Sequence, residues 1–208
     1  MSKPSGINPS ADIYLASRSP RRRELLSQIG VNFDVLTVDV LEQREPQESP
    51  ECYVQRLSLL KASAGLEEHK ALLNSKPVMG ADTIVVLNNE VLEKPRSKAN
   101  AVDMLLSLSG QSHKVMTSVS LVNDREQKTV LNITEVTFRT LTHEEADDYW
   151  QTGEPSDKAG GYGIQGLGAI FVEQIKGSYS SVVGLPLLET TQLLQTFNVP
   201  IWQKCACE

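Results

Sequence analysis

Cysteine, histidine and aromatic residues are all scarce in this chain, and each scarcity removes a class of protein. Among 208 residues there are three cysteines, Cys52, Cys205 and Cys207. An odd count, with the last two in the terminal QKCACE, supports neither a disulfide framework nor a structural zinc site. It fits a reducing compartment, and a cytoplasmic location is expected. The three histidines, His69, His113 and His143, are scattered, so neither a histidine metal cluster nor a histidine-based triad is indicated. HEEAD at 143–147 is not the HExxH of zinc hydrolases. Aromatics make up 5% of the chain, too few for the stacking platforms that hold single-stranded nucleic acid. Positive charge is also in deficit, with a formal net charge of -6. General nucleic-acid binding is therefore disfavoured, and any basic cluster becomes more informative. No apolar run is long enough to span a bilayer and no secretory h-region is present. Nucleic acid and membrane are both excluded as expected partners.

What remains is an ordinary globular composition, 40% apolar, long enough for one large domain or two small lobes around a cleft. Residues 1–10 are expected to be a flexible leader, 11–200 a single domain and 201–208 a flexible tail. Residues 11–17 and 31–40 read as strands. Ser19-Pro20 and Ser49-Pro50 read as helix starts, with serine as cap and proline in the first turn. The first helix stops at Gly30 and the second runs to about Leu73. Residues 77–87 and 90–95 read as a hairpin turning at Asn88-Asn89, and 97–108 as a helix. Two further strands, 114–122 and 129–141, precede a helix whose capping box is Thr142 and Glu145. A glycine-rich segment, DKAGGYGIQGLG, leads to an expected strand at 168–175, then to GSYSSVVGLP and a closing helix over 187–197. No internal repeat and no separating linker is evident. Early alternation of strand and helix, followed by antiparallel pairs, predicts an α/β fold with a mixed sheet.

Several residues break local rules. Arg21, Arg22 and Arg23 occupy a first helical turn, where cations are unfavourable by roughly 0.3–1 kcal/mol each. The same turn offers free backbone N–H groups, so with Ser17 and Ser19 beside it the segment reads as a phosphate trap. Lys61 falls on the apolar stripe formed by Val54, Leu57 and Ala64. It either snorkels or points into a polar cleft. Asp82 sits inside the apolar strand VMGADTIVVL, where a carboxylate is costly unless paired, hydrogen-bonded or metal-bound. Lys94 ends the next strand, and Glu42 follows the second one.

Gly161, Gly163 and Gly166 match GxGxxG, but the motif comes late and precedes a strand-like run rather than a helix. A dinucleotide fold is rejected, and the glycines read as positions of close backbone approach or unusual turns. Basic groups for phosphates, with carboxylates for a divalent cation and a water, are the parts that phosphoanhydride hydrolysis requires.

With these residues in view, LASRSPRRRELL, GADTIVVL, EKPR, DKAGGYGIQG and GSYSSVVGLPL resemble the Maf-like nucleoside triphosphate pyrophosphatases. The similarity runs from about residue 12 to 197. It implies two lobes around a central cleft on a long mixed sheet, an architecture related to that of inosine triphosphatases. It also implies a homodimer and hydrolysis of a nucleoside triphosphate to the monophosphate and pyrophosphate with magnesium or manganese. By motif, Ser17, Arg21 and Arg22 would hold the phosphates. Asp82 would accept a proton from the attacking water, Asp82 and Glu42 would bind the metal, and Lys61 and Lys94 would neutralise developing charge. Thr83 and Gln165 resemble the branch preferring dTTP and UTP. An amide can match the N–H and carbonyl edge of thymine or uracil. Ser181 departs from the asparagine of many relatives. The alternative implied role is a non-catalytic nucleotide-binding regulator of cell division.

Overall fold

The computed structural model describes residues 8, 10–71, 73 and 75–203. Most of the expected leader and tail, with Cys205 and Cys207, lies outside the described residues. The chain begins with a short strand, β1 (Ile13–Leu15), buried along its length. Helix α1 (Pro20–Gln28) follows, with Ser19 as cap and proline in the first turn. Next come β2 (Phe33–Val35) and α2 (Pro50–His69), the latter capped by the Ser49 hydroxyl. The hairpin is β3 (Val78–Leu87) and β4 (Glu90–Leu92), turning through left-handed Asn88 and Asn89. Helix α3 (Lys98–Leu108) starts at Ser97, and the long strands β5 (Ser112–Val122) and β6 (Gln127–Phe138) follow it. The Thr142–Glu145 capping box opens α4 (His143–Gln151). After the glycine-rich segment come β7 (Val172–Lys176), the short α5 (Tyr179–Val183) and α6 (Leu187–Thr196). Among the described residues no helix is long and apolar enough to cross a membrane.

The seven strands form one mixed sheet in the order β2-β1-β3-β5-β6-β7, with β4 added to β3. β1 is parallel to β2 and β3, and the other pairings are antiparallel. One apolar cluster joins β1, α1, β3, β5 and α6 through Leu15, Leu26, Met79, Val119 and Leu194. A second joins α3, β6, α4 and the glycine-rich segment through Leu105, Phe138, Tyr149, Tyr162 and Phe171. These are the two lobes, and β3 and β5 run through both. Gly80 allows α2 to lie directly on β3: a side chain there would collide with the Ser58 carbonyl and stand 2.5 Å from the Ala62 nitrogen.

Two segments expected as strands differ from expectation. The strand expected over 31–40 is β2 alone, because beyond Leu36 the chain leaves the sheet. Val38 there packs on the core, and Asp39, Val40 and Glu42 face a cavity. The strand expected over 168–175 begins as a 3-10 turn, Leu167–Phe171, before β7. There the Leu167 and Gly168 amides donate to the Glu154 carboxylate instead of a neighbouring strand. GSYSSVVGLP, to which the sequence assigned no element, carries a helical turn, capped by Ser178 accepting from the Ser181 amide.

Candidate active site

β1 pairs with β3 only as far as Met79, and β4 joins β3 only from Val85. Between them, residues 80–84 form an uncovered strand edge. A cavity of about 670 Å³ opens there, between the two lobes. Because the edge is open, consecutive residues with side chains on opposite faces, Asp82 and Thr83, both line it. The cavity also takes in Ser17, Arg21, Arg22, Glu42, Lys61, Lys94 and Gln165. Every residue assigned a candidate site role from the sequence thus lines this one cavity.

The lysine on the apolar stripe of α2 points into this cleft and does not snorkel. Lys61 is 8% exposed and Asp82 7%. The Lys61 ammonium donates to Asp82 Oδ1 at 2.6 Å and pairs with Glu42 Oε1 at 2.6 Å. Asp82 Oδ2 makes no hydrogen bond among the described residues. Burial pushes the Asp82 carboxyl up from the ordinary aspartate range, Lys61 and Arg22 pull against it, and Glu42 adds to the rise. Burial also acts on Glu42. There the hydrogen bond and charge of Lys61, with Lys94 and Arg22, outweigh it and hold the group below the usual glutamate value. The two carboxylates that share one ammonium are therefore driven apart in acidity.

The arginine turn divides its labour. Arg22 reaches down into the fold, donating from Nε to the Gly184 carbonyl (2.9 Å) and from its terminal nitrogens to Ser17 Oγ (3.1 Å) and Thr83 Oγ1 (3.1 Å). Thr117 donates to the Ser181 carbonyl at 2.7 Å. The 3.0 Å Thr83–Thr117 contact must therefore run from the Thr83 hydroxyl to Thr117, and Thr83 is committed to holding Arg22. Arg21 makes no side-chain hydrogen bond among the described residues and faces the cavity. Pro20 has no N–H and the Arg22 amide is taken by Ser19 Oγ at 3.5 Å, which leaves the Arg21 amide at the helix mouth. Lys94 and Gln165 line the opposite wall, exposed and without hydrogen bonds among the described residues. Ser181 is buried, its hydroxyl has no partner among the described residues, and its carbonyl anchors Thr117.

Other cavity residues escaped the sequence reading. Glu93, next to Lys94 on the cavity wall, accepts from the Tyr53 hydroxyl at 3.2 Å. Burial raises its carboxyl, and Asp82 and Glu42 push the same way. An exposed-looking glutamate beside a Lys-Pro pair carries no local signal of this. Glu154, Asp157 and Lys158 complete the wall below Gln165.

Among the described residues no three metal-binding side chains are grouped. Glu42 and Asp82 provide two carboxylates facing a cleft rimmed by cations. That donor set fits magnesium or manganese carried in on phosphates, since such ions take one or two carboxylates and complete their shell with phosphate and water. It does not form a closed protein cage.

A family profile described as Maf-like protein matches residues 12–197. A dTTP/UTP pyrophosphatase of Saccharophagus degradans is 60% identical over 95% of this chain and 94% of its own length. Proteins of the same name from Escherichia coli O157:H7 and Shigella dysenteriae serotype 1 are each 56% identical, over 89% of this chain and 93% of their own.

Proposed function

This chain belongs to the Maf-like family, and from that premise we propose that it is a pyrophosphatase of nucleoside triphosphates, acting on dTTP and UTP. The observation that carries the reading is the shared cavity of Arg21 and Asp82, a phosphate trap beside a buried carboxylate.

In this reading the triphosphate lies along the mouth of α1, with Arg21, its amide and the remaining N–H groups of Arg22 on the phosphate oxygens. Lys94 supports the anionic chain from the opposite wall. Asp82 uses Oδ2 to orient a water towards the α-phosphorus. The water oxygen bonds to phosphorus while its proton passes to Asp82. The bond from the α-phosphorus to the bridging oxygen breaks, releasing pyrophosphate and the nucleoside monophosphate. Because burial raises its pKa, the Asp82 carboxylate is a stronger base than that of an exposed aspartate. Lys61 keeps that carboxylate oriented and offsets the charge that builds during attack. A magnesium or manganese ion held by Asp82 and Glu42 would neutralise phosphate charge when bound. Thr83 contributes by fixing Arg22, and Gln165 meets the pyrimidine edge with its amide.

The test is a panel of nucleoside triphosphates incubated with the protein and magnesium or manganese, scored by pyrophosphate release. Release from dTTP and UTP, at kcat/KM above that of CTP and GTP, is the expected result. Tight nucleotide binding with no pyrophosphate would favour a regulatory protein instead.

A further inference from the structure

Two of the glycines that imitate a dinucleotide motif, Gly163 and Gly166, have a different cause, which lies in Glu154. Its carboxylate sits inside the 163–168 loop. Oε1 accepts the Tyr149 hydroxyl at 2.7 Å and the Gly168 amide at 3.1 Å, and Oε2 accepts the Leu167 amide at 2.8 Å. The Tyr149 oxygen in turn accepts the Gly163 amide at 3.1 Å. One carboxylate and one phenol thus gather three backbone donors from both ends of the loop. A side chain at Gly163 would stand 2.9 Å from Glu154 Oε1, and one at Gly168 would stand 2.6 Å from the Tyr149 oxygen. At Gly166 it would collide with the carboxylate. Gly163 and Gly166 therefore leave room for Glu154, whereas Gly161 takes a left-handed φ of 69°.

The clamp is itself held firmly. Tyr149 lies in the second apolar cluster, packed edge-on against Phe171. The turn bearing Glu154 is fastened by Lys158, which donates to the Glu154 carbonyl at 2.7 Å and to Asp157 Oδ1 at 2.6 Å. Burial acts to raise the Glu154 carboxyl, but the bonds from Tyr149, Leu167 and Gly168 bring it below the ordinary glutamate value. It stays ionised at neutral pH, so these are charge-assisted bonds. Gln165 stands midway between the anchored Gly163 and Leu167.

We infer that Glu154, with Tyr149, is a positioning residue for base selection: it sets the shape of the 163–168 loop and so places the Gln165 amide at the cavity. The inference rests on the proposed contact between Gln165 and the pyrimidine.

The experiment compares Glu154→Gln and Tyr149→Phe with the unaltered protein, after near-ultraviolet circular dichroism verifies folding. Glutamine keeps the size but replaces one accepting oxygen with a donor that faces a backbone N–H. Amide hydrogen exchange at Leu167 and Gly168 is expected to quicken about tenfold or more, as befits a lost charge-assisted bond, with β5 amides unchanged. The kcat/KM preference for dTTP over CTP is expected to fall by a similar factor. Competitive inhibition by inorganic triphosphate, which has no base, should hold. Tyr149→Phe should move the same readouts less. Unchanged exchange overturns the clamp whatever happens to catalysis. Faster exchange with an intact nucleotide ranking overturns its role in base selection, as does an equal loss of dTTP turnover and inorganic triphosphate inhibition. An unaltered protein that cleaves no nucleotide defeats the proposed function on its own account, and the exchange measurement still decides the clamp.

Discussion

Lys61 is the residue on which the others depend, because its ammonium stands between two carboxylates that would otherwise repel. Both pairs measure 2.6 Å, and one partner, Asp82, is almost fully buried. Removing the ammonium with Lys61→Met leaves Asp82 buried, facing Glu42 with only Arg22 to offset it, which raises the Asp82 carboxyl further. A carboxyl whose folded value is raised favours folding at low pH and opposes it as pH climbs through that value. The variant is thus expected to lose little stability near pH 4 and about 3 kcal/mol at pH 8, read from urea midpoints. Glu42→Gln acts in the opposite sense. It removes a negative neighbour and frees Lys61 for Asp82, so the acid limb of kcat/KM should move to lower pH. A limb that moves upward contradicts the assignment of Asp82 as the base. At this scale much was legible in the sequence: Lys61 and Asp82 each violate the apolar pattern of their own element. The division between Arg21 and Arg22 was not. What distinguishes them is the Gly184 carbonyl, 162 positions away.

The elements that position the site are held by close approach as much as by propensity. At Gly80 the backbone of α2 meets β3 with no room for a Cβ, and the obstructing atoms are backbone rather than a flexible side chain. Gly80→Ala must therefore push α2, and with it Lys61, away from Asp82. A loss of about 1–3 kcal/mol in denaturant unfolding is expected, with reduced turnover in the protein that remains folded. Unchanged stability would mean that α2 has slack this packing does not show. Helix starts were readable because Ser19, Ser49, Ser97 and Thr142 act within three residues of themselves. The segments at 31–40 and 168–175 were misjudged for a shared reason. Their apolar residues are real, but whether they enter the sheet depends on distant partners. The first lines the cavity and packs on the core; the second begins in a turn whose Leu167 and Gly168 amides go to Glu154.

For the molecule as a whole, the site exists because the sheet is incomplete along one edge of β3. Two of the apolar clusters, with separate residue sets, are bridged by β3 and β5, and the cavity opens at the gap left between β1 and β4. A mixed sheet was legible from the order of strands and helices, whereas the gap depends on where β1 and β4 stop and has no signature in the chain. This layout separates two tasks. In the proposed reaction, cations on α1 and beyond β4 would hold the polyphosphate, while the carboxylate on the open edge would handle the water. Catalysis should therefore be removable without removing binding. The decisive measurement is Asp82→Asn, followed by both dTTP turnover and nucleotide affinity in the presence of magnesium. The predicted result is a fall in kcat on the order of 10²–10⁴-fold, the usual span for general-base loss, with affinity changed only slightly. Turnover that survives the substitution at the unaltered rate would contradict the account.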